Sequence, residues 1–175
     1  MKKIIQVPLT KEETEQLKAG DYVYLTGTIY TARDAAHKLM IEALDKQEEL
    51  PIPLEGETIY YAGPCPTKPG HTCGPAGPTT SGRMDKFTPR LLDLGLKVMI
   101  GKGKRSPEVI ESIKKNKAVY LVAIGGLGAL ISKSIESVEV VGYDFLGTES
   151  VKRMKVKDFP VIVAIDSMGN NIYQE

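Results

Sequence analysis

Thr79, Thr80 and Arg83 stand at the end of a long segment that is rich in proline and glycine. The segment spans residues 62–85 and follows an apolar run at residues 58–61. Proline fixes one backbone angle and glycine permits left-handed conformations, so this composition predicts a shaped loop. Hydroxyls, backbone N–H groups and a guanidinium are groups that bind carboxylates or phosphates. The pattern therefore indicates an anion receptor, and a solvated turn followed by a helix cap is the alternative.

A second cation, Arg33, lies where another helix is predicted to begin. Residues 31–34 have the form of a capping box with Asp34 at its third helical position. A cation is unfavourable in the first turn of a helix, because the helix dipole is positive there. An anion bound just beyond the helix start would explain Arg33. His37 lies one turn further on the same side, and its position favours a hydrogen-bonded, partly buried histidine.

Two glycine-rich turns follow later strands. Lys102 lies between Gly101 and Gly103, which would let a ligand approach closely; a solvated turn lysine is the alternative. Residues 125–128 read Gly-Gly-Leu-Gly after a continuous apolar run. This is not the GxGxxG pattern of a dinucleotide site, and no ribose-binding acid is identifiable about 20 residues further on. We therefore reject a dinucleotide site.

The order of predicted elements indicates the fold class. Apolar and β-branched runs predict strands at residues 3–8, 21–30, 58–61, 97–100, 118–124, 137–143, 151–156 and 160–166. Apolar residues at helical spacing and helix-capping residues predict four helices. They lie at residues 11–17, from residue 31 onward, from residue 83 or 88 to residue 94, and at residues 106–115. Gly169-Asn170 predicts a hairpin turn. The expected fold is a mixed sheet flanked by helices, α/β at the boundary with α+β.

Composition excludes several classes of partner. A chain of 175 residues is expected to form one domain, and its net charge of +1 gives no reason to expect nucleic acid or a membrane. We expect no signal peptide, no membrane span and a cytoplasmic protein. Cys65 and Cys73 are more compatible with free thiols than with a disulfide, and their spacing does not match a zinc site. We expect no metal ligands in this chain.

Four motifs, taken together and in order, resemble one known family. They are TARDAAH at residues 31–37, GPTTSGRMD at 77–85, GKGKRS at 101–106 and GGLGALI at 125–131. The set is similar to the β subunit, or C-terminal region, of iron–sulfur class I fumarases and L-tartrate dehydratases, and the resemblance extends over essentially the whole chain. It implies a swivelling β/β/α domain over residues 1–175 and the reversible hydration of fumarate to (S)-malate.

The resemblance also implies a partner. In that family three cysteines hold a [4Fe–4S] cluster, whereas this chain has two cysteines and no matching ligand motif. The cluster is therefore expected on a separate α subunit, with the catalytic site formed where the two chains meet and with a small dicarboxylate as substrate. The isolated chain is expected to be inactive, with self-association left open.

Site residues carry over from the resemblance one by one. Arg33 and Arg83 match the arginines that bind the substrate carboxylates, and Lys102 matches a lysine that adds charge to the same site. Thr79 matches the threonine proposed as the base, although it could equally orient substrate through a hydrogen bond. Asp34 and His37 are interpreted as supports for Arg33.

Two rival interpretations remain open at this point. The β subunit of a tartrate dehydratase would use a similar carboxylate receptor, and this half of the site does not separate it from a fumarase. A non-catalytic anion-binding or assembly module is the hypothesis from another class.

Overall fold

The protein is described by a computed structural model that covers residues 2–62, 78–123, 131 and 133–173. Its strands are β1 (Lys2–Val7), β2 (Tyr22–Thr31), β3 (Thr58–Tyr60), β4 (Val98–Gly101), β5 (Val119–Ala123), β6 (Ile135–Gly142) and β7 (Val151–Ile165). Its α-helices are α1 (Lys11–Glu15), α2 (Asp34–Asp45), α3 (Thr88–Asp93) and α4 (Pro107–Asn116). Two 3-10 segments span Ser81–Met84 and Asp144–Glu149.

Five of the strands form a closed ring. β2, β3, β4 and β5 are parallel neighbours in chain order. β7 pairs antiparallel with β5 through one part of its length and with β2 through most of it, which closes the ring. β1 extends the sheet beside β2, and β6 pairs with the first half of β7. The expected mixed sheet flanked by helices is confirmed.

Alternation along the strands divides the core into two layers. Successive strand residues point to opposite faces of a sheet. Tyr60 packs with the parallel strands and β7 in one cluster, whereas its neighbours Ile59 and Tyr61 belong to the other. The second cluster also contains Met40 of α2 and Ile113 of α4. The helices therefore cover one face of the parallel strands, and the ring of strands encloses the other core.

Local signals explain where two of the helices begin. Thr10 and Glu13 form the predicted capping box of α1. Ser106 accepts a hydrogen bond from the Val109 N–H at the start of α4, and Pro107 occupies its first turn. Among the described helices, none is long and apolar enough to cross a membrane.

Two boundary predictions were wrong, and the structure decides between two alternatives for a third. Thr31 does not cap α2, because it continues β2 and pairs with both β3 and β7; Arg33 is the residue before the helix. The predicted strands at 151–156 and 160–166 are one strand, β7, which passes through Asp158 at a positive φ. Between β3 and β4, a 3-10 segment ends at Met84 and the α-helix starts at Thr88. Of the two expected starts, 83 and 88, the second is therefore the observed one.

Candidate functional site

The predicted site residues follow three neighbouring parallel strands. Arg33 and Asp34 come after β2, the Thr79–Arg83 stretch follows β3, and Lys102 comes directly after β4. Because these strands are parallel, their carboxyl ends lie at one edge of the sheet. In α/β proteins, with open sheets or closed barrels, ligands bind at the carboxyl ends of the parallel strands. The topology therefore gathers residues that are spread over some 70 positions of the chain.

Arg83 is in contact with two of the other predicted residues. Its Nε lies 2.8 Å from Asp34 Oδ2, and its Nη1 donates to Thr79 Oγ1 at 3.4 Å. The Thr79 N–H in turn donates to the Tyr61 carbonyl at 2.7 Å, which anchors Thr79 to the end of β3. These contacts occupy two of the five guanidinium N–H donors, so the arginine keeps the capacity to bind a carboxylate. The side chain of Arg83 is about half exposed, at 54%.

Lys102 is joined to the same segment through its backbone. It forms a parallel bridge with Thr80, and its carbonyl accepts the Ser81 N–H at 2.9 Å. Its own N–H donates to Ser81 Oγ at 3.0 Å. The residue as a whole is exposed. The structure thus brings Asp34, Thr79 and Arg83 into direct contact and sets the backbone of Lys102 alongside them.

Arg33 occupies the position immediately before α2 in extended conformation, without a side-chain cap. It lies beside Asp34 in the chain, and the contacts of the described residues pair Asp34 with Arg83 and not with Arg33. This changes the expected role of Asp34, because its carboxylate orients the arginine that follows β3. The Arg33 carbonyl accepts both the N–H and the ring N–H of His37, at 2.9 and 2.8 Å. His37 therefore holds the backbone of Arg33.

Buried polar atoms without a hydrogen-bond partner among the described residues are concentrated at the end of β2 and the start of α2. Four of the six such atoms lie there, namely Thr31 Oγ1, Arg33 Nε, Asp34 Oδ1 and His37 Nε2; the other two are Thr58 Oγ1 and Ser167 Oγ. Folded proteins pair nearly all such atoms, so each exception requires an explanation. Four exceptions within seven positions are typical of a polar site that a ligand or further polypeptide completes.

His37 is fully buried between the rings of Tyr61 and Phe87, with centroid separations of 5.5 and 5.9 Å. Burial lowers the pKa of His37 from its usual 6.5 to about 4, because the charged imidazolium would lose its hydration. A carbonyl only accepts, so the contact with the Arg33 carbonyl requires Nδ1 to carry the proton. His37 is therefore neutral at pH 7, and this histidine is a packed support for the site.

Acidification is expected to destabilise the wild-type chain more than the His37→Gln variant. Between pH 6.5 and about 4 the unfolded histidine binds a proton that the folded one does not, so the free energy of unfolding falls as pH falls. The full window is worth about 3 kcal/mol. Urea unfolding at pH 7, 6, 5 and 4 measures the difference between the two curves. His71→Gln, which changes the other histidine, serves as control, and parallel wild-type and His37→Gln curves would contradict the expectation.

The sequence analysis missed a buried arginine under the site. The Arg105 side chain is fully buried, and its Nε lies 2.6 Å from Asp85 Oδ1. Its Nη2 donates to the Tyr61 hydroxyl at 3.1 Å and to Thr88 Oγ1 at 3.0 Å. Asp85 Oδ2 also accepts the Ser106 N–H at 2.7 Å. This network ties the stretch after β3 to the start of α4. The signal was available, since Asp85 and Arg105 lie within the GPTTSGRMD and GKGKRS motifs.

A second missed support lies at the start of α2. Glu149 Oε1 accepts the Ala35 N–H at 3.4 Å, which satisfies one of the free amides of the first helical turn. The fully buried Lys152 donates from Nζ to the carbonyls of Thr148 and Ser150, at 2.7 and 3.3 Å. The 3-10 segment Asp144–Glu149 is therefore fixed against the helix that carries Asp34. Nothing in the local pattern of residues 144–152 indicated this contact.

The described side chains at this edge do not suit a metal or an iron–sulfur cluster. Arg33, Arg83 and Lys102 are cations, and the carboxylate of Asp34 already pairs with Arg83. In the part of the chain that the structure describes, no group of three or more His, Cys, Asp or Glu residues is placed to bind a metal ion. Cys65, Cys73 and the glycine turn at 125–128 lie outside the described residues.

The fold and the candidate site together define a class of protein: an α/β domain with cationic and hydroxyl-bearing residues at one edge of its sheet. Residues 2–175 match the family described as Fumarase C-terminus, and the chain belongs to this family. The relationship expected from the four sequence motifs is confirmed.

Relatives of two kinds are similar to this chain. It is 43% identical over 173 residues to a Methanocaldococcus jannaschii protein with the provisional name L(+)-tartrate dehydratase subunit beta, covering 95% of this chain and 89% of that protein. It is 37% identical over 180 residues to the L(+)-tartrate dehydratase subunit beta of Escherichia coli, covering 100% and 88%. It is 41% identical over 165 residues to the aerobic class I fumarate hydratase of Escherichia coli, covering 93% of this chain but 30% of that enzyme.

Proposed function

We propose that this chain is the β subunit of a heteromeric hydro-lyase of the class I fumarase type, and that residues 1–175 form a single domain of that subunit. The observation that carries the proposal is the contact of Arg83 with both Thr79 and Asp34, beside the backbone of Lys102. It combines a carboxylate-binding group with a hydroxyl in one place. The relatives support a hydro-lyase reaction, since they are named as a hydratase and as dehydratase subunits.

The charges at the sheet edge fit a dicarboxylate. Arg33, Arg83 and Lys102 outnumber the Asp34 carboxylate by two charges, and a dicarboxylate carries two negative charges. Arginine presents planar, paired donors that match a carboxylate, whereas lysine contributes a compact charge. We assign Arg33 and Arg83 to carboxylate binding and Lys102 to the same site as an additional cation. Asp34 and His37 position these arginines.

We assign Thr79 as the base that removes the proton from the carbon next to a substrate carboxylate. An unassisted hydroxyl is a poor base, because its alkoxide is too unstable near neutral pH. The donor at Arg83 Nη1, 3.4 Å from Thr79 Oγ1, supplies a positive charge that stabilises the alkoxide. In dehydration the Thr79 alkoxide, whose own proton has passed to water before this step, would take the proton from carbon and become the hydroxyl; in hydration the hydroxyl would return it. The carboxylate held by the arginines would accept the developing negative charge.

The rest of the chemistry is assigned to a partner. The described residues of the site are unsuited to the [4Fe–4S] cluster of the fumarase family, and the chain has only two cysteines. We propose that a separate α subunit supplies the cluster and the general acid, and that the active site forms between the two subunits. The names of the subunit-beta relatives support a heteromer.

A tartrate dehydratase β subunit is the second candidate. It is supported by two relatives with the name L(+)-tartrate dehydratase subunit beta, to which this chain is 43% and 37% identical. Tartrate has one more hydroxyl than malate and the same two carboxylates. The residues of this chain that bind carboxylates therefore suit both substrates.

A substrate panel on the purified complex of α and β subunits tests the proposal. We expect turnover of (S)-malate and fumarate to exceed that of L-tartrate, and each subunit alone to be inactive. A preference for tartrate would establish the second candidate. A complex that forms but hydrates or dehydrates none of these acids would contradict the proposed enzyme activity and favour a non-catalytic anion-binding module.

A further inference from the structure

Lys102 is fixed at both of its backbone polar groups by a single residue. The Ser81 N–H donates to the Lys102 carbonyl at 2.9 Å, and Ser81 Oγ accepts the Lys102 N–H at 3.0 Å. Ser81 is fully buried and begins the 3-10 segment that carries Arg83. The position of Lys102 relative to Arg83 therefore depends on the side chain of Ser81, and not on chain connectivity alone.

Tyr120 extends this contact into a chain of hydrogen bonds. Its hydroxyl oxygen lies 2.6 Å from Ser81 Oγ and 2.8 Å from the Gly103 carbonyl oxygen. A carbonyl only accepts, so the Tyr120 hydroxyl donates to Gly103 and accepts from Ser81. The order is Lys102 N–H to Ser81, Ser81 to Tyr120, and Tyr120 to the Gly103 carbonyl. One continuous chain of hydrogen bonds thus holds both Lys102 and the next residue, Gly103.

The space around this chain is closed. Tyr120 is fully buried, and the guanidinium of Arg105 lies over its ring at 4.7 Å. A Cβ atom added to Gly101 would lie only 1.9 Å from Ser81 Oγ, which is closer than any non-bonded contact. Glycine is therefore required beside Ser81. Burial also raises the pKa of Tyr120, so its hydroxyl keeps the proton that it donates.

We propose that Ser81 and Tyr120 are positioning residues that hold Lys102 against the Thr79–Arg83 stretch, so that its ammonium reaches the bound dicarboxylate. The proposal rests on the proposed function, because it assigns these residues to the same site. Ser81 and Tyr120 act through Lys102 and do not touch the substrate themselves. Rigid support of this kind matters, because small displacements of binding groups reduce the rate strongly.

A double-mutant cycle in the α–β complex tests the proposal. We expect Lys102→Ala to lower kcat/KM about 100-fold and Tyr120→Phe about 10-fold, chiefly through KM. The double variant is expected to match Lys102→Ala, because Tyr120 then has no ammonium left to position. Phenylalanine keeps the ring under Arg105, so the change isolates the hydroxyl. Ser81→Ala breaks the same chain at another point and is expected to behave like Tyr120→Phe, which keeps the test valid if one variant does not fold.

Matched controls separate positioning from general damage. Tyr60→Phe alters a buried tyrosine in the other core cluster, and Lys104→Ala removes a neighbouring exposed lysine; both are expected to stay within about 2-fold of wild type. Effects of Tyr120→Phe and Lys102→Ala that multiply to about 1000-fold in the double variant would overturn the positioning role. So would wild-type kinetics in both Tyr120→Phe and Ser81→Ala. An inactive wild-type complex would instead overturn the proposed function, and the positioning role with it.

Discussion

Replacing Arg83 with alanine in the α–β complex is expected to lower kcat/KM about 1000-fold. Arg83 is the residue that contacts both Asp34 and Thr79, so its loss removes a carboxylate donor and the charge beside the proposed base. The side chain is half exposed in this chain, and we propose that the α subunit covers it in the complex. Losing one partner of a charge pair that is desolvated there costs about 2–5 kcal/mol, which corresponds to this range of rates. Steady-state kinetics with (S)-malate and L-tartrate, together with the melting temperature, measure the effect.

Two variants show whether the loss belongs to the site. Arg83→Lys keeps the charge but not the planar pair of donors, and we expect it to recover a small part of the activity. Arg90→Ala removes an exposed arginine that pairs with Asp45 at the end of α2, and we expect kinetics close to wild type. Unchanged hydratase activity in Arg83→Ala, with weaker anion binding, would indicate the non-catalytic module.

Thr79→Val is expected to lower kcat about 1000-fold and to leave KM within about 3-fold. Valine has nearly the shape of threonine without the hydroxyl, so the fold and the carboxylate contacts remain while the proton acceptor is lost. General acid–base groups typically contribute about 100- to 10,000-fold to the rate. The expected loss falls on kcat, because the role of the hydroxyl is confined to the transition state. Measuring kcat and KM in both directions tests this division.

Neighbouring hydroxyls provide the controls for Thr79. Thr79→Ser keeps the oxygen and is expected to retain most of the activity. Thr80→Val removes the exposed hydroxyl of the next residue, whose backbone pairs with Lys102, and is expected to have little effect. Exchange of the proton beside the carboxylate into deuterated water adds a direct readout of the proton transfer. A Thr79→Val variant that keeps kcat but raises KM would assign Thr79 to substrate orientation.

The sequence by itself indicated most of the elements and the candidate site residues. Partial alternation in β2, the apolar run of β4, the capping residues Thr10 and Ser106, and Pro107 in a first helical turn are local signals, so they could be interpreted without tertiary contacts. The four motifs also sufficed to indicate the family. In the sequence, each cationic residue of the site follows a predicted strand. Because these strands are parallel neighbours in the fold, the cationic residues lie at one edge of the sheet.

Only the tertiary structure decided how those residues are paired. Thr31 has the chemistry of a helix cap, but hydrogen bonding to β3 and β7 retains it in the strand. Asp34 has Arg33 as its neighbour in sequence, yet its carboxylate lies 2.8 Å from Arg83, which is 49 positions away. The burial of Arg105 and the hydrogen bonds from Ser81 to Lys102 likewise depend on distances between separate strands. Hydrogen bonds and ion pairs act over a few ångströms, so their partners are determined only when the ring of strands has closed.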